Sequence, residues 1–144
     1  MGARELEIRA YQESDEEPVV ALWQAVFPGD PPWNEPRGVI RRKLGIQREL
    51  FFVALLGNQL AGTVLAGFDG CRGWIYHLAV APELRRLGVG RTLMREAEEG
   101  LRSLGCPKIN LQVRASNTEV VRFYERLGFA VEERVSMGRL LVRG

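Results

Sequence analysis

The sequence predicts an α+β fold: a mixed, mostly antiparallel twisted sheet of about six or seven strands with one parallel pair, flanked by about four helices. Three observations predict it. Short turns at Gly57-Asn58 and at residues 69–73 join successive apolar, β-prone runs, and strands joined so tightly must run antiparallel. A long amphipathic helical pattern ending near Leu104 separates the third of these runs from the next, so the strand that follows should return parallel to its predecessor. At 144 residues, 46% of them apolar, the chain can bury one continuous core, and residues 1–144 read as a single domain.

Residues 5–11 alternate around Leu6, Ile8 and Ala10, the period of a half-buried strand. Ser14 and Glu17 have capping-box spacing, and Val19, Leu22, Trp23, Val26 and Phe27 follow at helical intervals as core positions. Pro28-Gly29-Asp30-Pro31-Pro32 must end that helix. Asn34 and Pro36 then open a second one, with Val39, Ile40 and Leu44 inward and Arg37, Arg41, Arg42 and Lys43 on its exposed face.

Residues 49–56, 59–68 and 74–80 read as three consecutive strands. The next helix carries Leu93, Met94, Ala97, Leu101 and Leu104 on one stripe and stops at Gly105. Ile109, Leu111 and Val113 alternate as the returning strand. Ser116-Asn117-Thr118-Glu119 opens a last helix that ends at Gly128, and residues 129–135 and 137–142 read as a closing pair of strands.

The chemistry concentrates at Arg85-Arg86-Leu87-Gly88-Val89-Gly90-Arg91-Thr92, between a strand and the long helix. Glycines there permit close approach to the backbone, and a helix start leaves unpaired N–H groups at the positive end of its dipole. Together with three arginines, this suits a phosphate or pyrophosphate. A plain strand-to-helix turn with solvated arginines is the alternative reading of the loop alone. No lysine follows the glycines as a Walker A loop requires, and Leu93 stands where a dinucleotide fingerprint needs its third glycine.

The Arg-x-x-Gly-x-Gly of Arg85, Gly88 and Gly90, after Leu78-Ala79-Val80-Ala81-Pro82, resembles motif A of the GCN5-related N-acetyltransferases, the GNAT family. Asn117 followed by Phe123-Tyr124-Glu125-Arg126-Leu127-Gly128-Phe129 is similar to that family's motif B. The two blocks keep the family's order and spacing, and the resemblance covers roughly residues 4–142.

It implies a domain that binds acetyl-CoA as co-substrate and transfers the acetyl group to a primary amine. The parallel strands would splay at their C-terminal ends. Leu78, Ala79 and Val80 would bond the pantetheine arm, with an N–H near Val80 polarising the thioester carbonyl. Residues 85–92 would hold the pyrophosphate. Asn117 would bond the pantetheine arm as well, and Tyr124 would be the acid toward the departing thiolate. A phenol with a pKa of about 10 can donate while staying protonated at neutral pH.

The base is less legible. In a regular strand Trp74 and Tyr76 share the parity of Leu78, and neither is a carboxylate or histidine; His77 would point to the opposite face. Tyr76, or water on it, is then the expected proton route. Trp33, Asn34, Glu35, Asp69 and Tyr76 are the acceptor-site expectations, with Asp69 or Glu35 attracting an ammonium; capping and turn chemistry is the competing account of these residues.

Other classes are disfavoured. A net charge of +2 is too small to advertise nucleic acid, and no apolar run spans a bilayer, so the expected setting is cytoplasmic. One histidine and two distant cysteines, Cys71 and Cys106, predict no metal site and no acyl-cysteine. A monomer or a homodimer is expected. A CoA-binding regulatory module that no longer transfers acetyl groups is the alternative function, motivated by the missing carboxylate base.

Overall fold

The computed structural model describes residues 5–142. Contacts divide the chain into two compact units, Met1–Leu111 and Gln112–Gly144. The first holds β1 (Leu6–Ala10), α1 (Glu16–Val26), α2 (Pro36–Leu44), β2 (Phe51–Leu56), β3 (Gln59–Phe68), β4 (Gly73–Val80), α3 (Val89–Ser103) and β5 (Ile109–Leu111). Its sheet has the order β1-β2-β3-β4-β5. The first four strands pair antiparallel and β5 pairs parallel with β4. The predicted α+β architecture with one parallel pair is therefore present, with five strands rather than six or seven.

One face of this sheet carries α3, whose Leu93, Met94, Ala97 and Leu101 are buried while Leu104 is exposed, so the predicted stripe ends at Leu101. The helix stops as its sequence specifies. Gly105 takes φ +79°, its N–H donates to Arg102 O at 2.9 Å, and Cys106 N–H donates to Leu101 O at 3.1 Å, a Schellman closure. The other face carries α1 and α2, with Trp23 and Phe51 buried and stacked 6.0 Å apart.

The predicted capping box at Ser14 is displaced. A 3₁₀ turn, Glu13–Asp15, precedes α1, and Asp15 is the residue that reaches back, accepting from Gln12 N–H at 2.8 Å. Arg9 of β1 grips the same carboxylate with both nitrogens, at 2.8 and 3.0 Å. The pair joins β1 to the start of α1, a contact that capping-box spacing does not register.

On α2, the exposed-face reading fails for two residues. Arg37 pairs with Glu16 and Glu17 of α1. Lys43 turns inward and donates to Ala66 O, and burial lowers its pKa. Beyond the last β2 pair, Phe51 with Leu65, Gln47 donates to Phe68 O at 2.9 Å and accepts from Phe68 N–H at 2.8 Å. Lys43 and Gln47 thus supply bonds that a longer β2 would have given.

The second unit contains α4 (Thr118–Arg126), capped by Asn117 and closed by Gly128 at φ +96°, with Phe129 N–H donating to Tyr124 O at 3.0 Å. The closing strands predicted at residues 129–135 and 137–142 do not form. Val131, Val135 and Met137 stay exposed, and no ladder takes up their backbone. Glu132-Glu133-Arg134 breaks the first alternation and Gly138 the second, so β-prone side chains lack the half-buried surface that β propensity measures.

Two stability outcomes follow. Thr63→Val should remove about 1–3 kcal/mol from the unfolding free energy by stranding the buried Trp23 indole N–H that Thr63 accepts, as read by urea denaturation. Burial raises the Asp15 pKa, but the Arg9 and Gln12 hydrogen bonds outweigh it and hold the pKa below the ordinary aspartate value. Its stabilising contribution is complete above that value of about 3.9 and is lost as pH falls through the lower folded-state value. Arg9→Met should start the acid-side decline at higher pH, as measured by thermal melts across pH 2–6.

Candidate active site

β4 is irregular where the site begins. Thr63 pairs with Ala79 and Leu65 with Tyr76, so β4 carries one more residue than β3 between these pairs. His77 takes up the excess at φ +50°. Thr63 is fully buried; its hydroxyl donates to His77 O at 2.9 Å and accepts from Trp23 Nε1 at 2.8 Å. The His77 ring packs on Trp23 and Phe27 of the α1 side, with centroids 4.4 and 5.5 Å away. His77 therefore does not point away from the α1 face as a regular strand would require, and the shared parity of Trp74, Tyr76 and Leu78 is broken. Burial lowers the His77 pKa, opposed by the nearby Asp30 charge.

β4 loses its parallel neighbour just before the bulge. β5 pairs only with Gly73, Trp74 and Ile75, and ends at Leu111. Leu78, Ala79 and Val80 therefore have no β5 ladder partner. Such backbone groups require some other partner, which an extended ligand could provide. Leu78 and Val80 are half-buried, whereas Ala79 is buried.

A 3₁₀ turn, Pro82–Leu84, then leads into the loop. Arg86 takes φ +69° and Gly88 φ +80°, and α3 starts at Val89. A Cβ on Gly88 would meet nothing within 4 Å, so its backbone angle, not crowding, calls for glycine. Thr92 N–H and its hydroxyl both donate to Gly88 O, at 3.0 and 2.8 Å. As first-turn amides, those of Val89, Gly90 and Arg91 have no intrahelical acceptor. Arg85, Arg86, Leu87 and Arg91 are exposed, and the three arginines form no ion pair among the described residues. Orphan amides at a positive dipole end beside uncommitted guanidinium groups fit a diphosphate.

Gly62 was not singled out by sequence, yet it fixes how closely α3 meets the sheet. A Cβ there would lie 2.5 Å from Ala79 O and 3.1 Å from Val89 Cγ1. A glycine inside an apolar strand pattern was the available signal.

In the second unit, the Asn117 side chain accepts from Val120 N–H at 3.4 Å as the helix cap. Tyr124 is buried, with Phe123 and Phe129 edge-on at 5.1 and 5.6 Å. Burial raises its pKa well above the ordinary phenol value, and its hydroxyl meets no acceptor among the described residues.

The five acceptor expectations separate. Asn34 and Glu35 line a cleft of about 350 Å³ between the end of α1 and the start of α2, together with Trp23, Phe27 and Asp30. Trp33, Asp69 and Tyr76 do not line it. Asp69 accepts from the N–H groups of Cys71 and Arg72, both at 2.8 Å, and from Trp74 Nε1 at 3.3 Å. Glu35 caps α2 through Arg37 and Gly38 N–H. Both carboxylates thus perform the turn and capping chemistry that competed with an acceptor role. Tyr76 is exposed, and its pKa is raised by partial burial and by Asp69. Among the described residues, no three His, Cys, Asp or Glu side chains gather as a metal site.

The model of the acetyltransferase (GNAT) family matches residues 7–129, and the chain belongs to that family. It is an acetyl-CoA-dependent N-acetyltransferase by class. A protein described as an acetyltransferase from Yersinia enterocolitica is 39% identical over 137 residues, covering 95% of this chain and 96% of its own. An acetyltransferase from Yersinia pestis is 38% identical with the same coverage. Among solved structures, Ard1 from Thermoplasma volcanium superposes with a TM-score of 0.76 at 25% identity, over 88% of this chain and 84% of that one. An aminoglycoside N-acetyltransferase, AAC(6')-Iy, in complex with CoA, gives 0.78 at 21% identity, over 99% and 98%, and at that identity shows the fold alone. No helix among the described residues is long and apolar enough to cross a membrane.

Gly88→Ala should cost about 1–2 kcal/mol, because a Cβ is forced into the left-handed region. Calorimetry should also show weaker coenzyme A binding by this variant.

Proposed function

We propose that the chain moves the acetyl group of acetyl-CoA directly to a primary amine, without an acyl-enzyme. The observation that carries this reading lies in the first unit. β4 leaves Leu78, Ala79 and Val80 without β5 partners, and the chain then runs straight into the orphan amides of α3. An extended arm ending in a diphosphate needs those two features in that order.

In this reading the amides of Val89, Gly90 and Arg91 bind the diphosphate, while Arg85, Arg86 and Arg91 add long-range attraction. The edge at Leu78, Ala79 and Val80 orients the pantetheine arm, and an N–H near Val80 stabilises negative charge developing on the carbonyl oxygen. Acetyl-CoA supplies the activated thioester. Asn117 contributes a hydrogen bond to the arm, and its capping bond holds its side chain in one orientation.

Tyr124 gives its proton to the departing thiolate as the C–S bond breaks, and the proton shed by the nitrogen that forms the new C–N bond leaves through water, which reprotonates the phenolate. Burial raises the Tyr124 pKa, which keeps the phenol protonated at neutral pH. Direct attack is favoured because neither cysteine is built as a nucleophile: Cys71 is exposed in a turn, and Cys106 donates to Lys108 O at 3.3 Å.

Tyr124→Phe tests the assignment. Turnover of acetyl-CoA with an accepted amine should fall about 100-fold, the scale of a lost general acid, while coenzyme A affinity measured by calorimetry stays within about two-fold. Unchanged turnover would remove Tyr124 as the acid.

A further inference from the structure

We propose that His77, the one histidine of the chain, accepts the proton shed by the acceptor nitrogen, and that the extra residue in β4 is what brings its ring to where it can do so. The proposal rests on the acetyl-transfer reading and adds the protein group that receives the proton water carries away.

His77 holds φ +50°, a left-handed angle that costs energy for any residue with a Cβ, although histidine and asparagine tolerate it better than most. Strain of this kind persists only where surrounding contacts enforce it, and it gathers at functional sites. Here the enforcing contact is the Thr63 hydroxyl, which donates to His77 O at 2.9 Å. Bulges beside active sites re-aim side chains, and this one turns the imidazole to the α1 side, where Trp23 and Phe27 hold it half-buried.

The ring lies beside the stretch where the proton would be shed. Leu78, the next residue, opens the edge proposed to carry the pantetheine arm. Val80, whose N–H would face the thioester carbonyl, lies about 10 Å from His77 along an extended chain. That span calls for transfer through water, not direct contact.

The other groups near this stretch are poor proton acceptors. Burial and the Asp69 charge raise the Tyr76 pKa above the ordinary phenol value, so its oxygen already holds a proton at neutral pH. Asp69 and Glu35 are occupied by turn and cap N–H groups. Burial keeps the His77 imidazole neutral, against the charge of Asp30, and a neutral imidazole has one ring nitrogen open to a proton. α1 meets the ring with Trp23 and Phe27, and β3 meets its backbone with Thr63, none of which titrates. Asp30, after α1, is the charge that acts on the ring, and Tyr76 is its titrating neighbour in β4.

In this step the nitrogen forms the C–N bond, and its proton passes through water to the imidazole as the C–S bond breaks. The imidazolium then returns the proton to solvent, and the Tyr124 phenolate regains its own from water.

The test uses the full, untagged chain and an accepted amine at saturation, with coenzyme A affinity measured separately by calorimetry. One histidine gives one imidazole signal in NMR, so its pKa in the acetyl-CoA complex is read directly. In the wild type, kcat should fall on the acid side with an apparent pKa that matches this value, and both should lie below about 6.5. In His77→Asn, which suits the left-handed angle but accepts no proton, kcat at neutral pH should fall about 100-fold and the acid-side inflection should vanish. KM and coenzyme A affinity should stay within about two-fold, since only the proton transfer is lost. His77→Gly relieves the backbone and opens space between Trp23 and Phe27, and imidazole in the medium should raise its kcat about 10-fold. Melting temperatures establish that each variant is folded, and should neither fold, the match between the two wild-type pKa values decides.

Unaltered kcat or an unaltered acid limb in folded His77→Asn would overturn the proposal while leaving acetyl transfer intact. So would a wild-type inflection more than about one pH unit from the imidazole pKa. Absence of coenzyme A binding by the wild-type chain would overturn both.

Discussion

The fully buried hydroxyl of Thr63 is the joint on which the site turns. It receives the Trp23 indole proton and gives its own to the His77 carbonyl, so one oxygen links α1, β3 and β4. Both bonds are made away from water, where an unmet donor costs more than a made bond returns. The extra residue in β4 is thereby fixed at a single place. From there onward the strand changes facing, in a stretch that lies beyond its last β5 partner, Ile75.

Magnitudes separate the contributors at the loop. The arginines are exposed, and exposed charges are screened over roughly 8–10 Å at physiological salt. They guide an anion more than they hold it. The α3 amides are fixed by the helix and carry close to half a positive charge between them. Their geometry is set by Gly88 at one end and by the seat of Val89 against Gly62 at the other. Two glycines distant in sequence therefore shape one binding surface, one through its backbone angle and the other through its missing side chain.

What could be read from sequence was what short-range chemistry decides. Gly105 and Gly128 end their helices as predicted, Gly57-Asn58 makes its hairpin, and the crossover through α3 returns a parallel strand. What escaped was decided by side-chain partners that periodicity does not register. Arg9 on the preceding strand grips Asp15 at the start of α1, and Ala66, 23 residues away, draws Lys43 inward from a face that looks solvated. A regular period placed His77 on the wrong side, because a bulge leaves no mark on alternation. The runs after Gly128 show the converse: their residues favour strands, but without a neighbour to pair with they remain irregular. At the site, the glycine loop was plain in the sequence.

The bonds from Lys43 and Gln47 have a bearing on behaviour in concentrated solution. β3 outlasts β2, and the overhang at residues 66–68 would present open backbone valences to any passing chain. An amine and an amide side chain occupy those valences instead, and neither can template a further strand. The margin of β3 is thus closed to a further strand at the point where its pairing with β2 runs out.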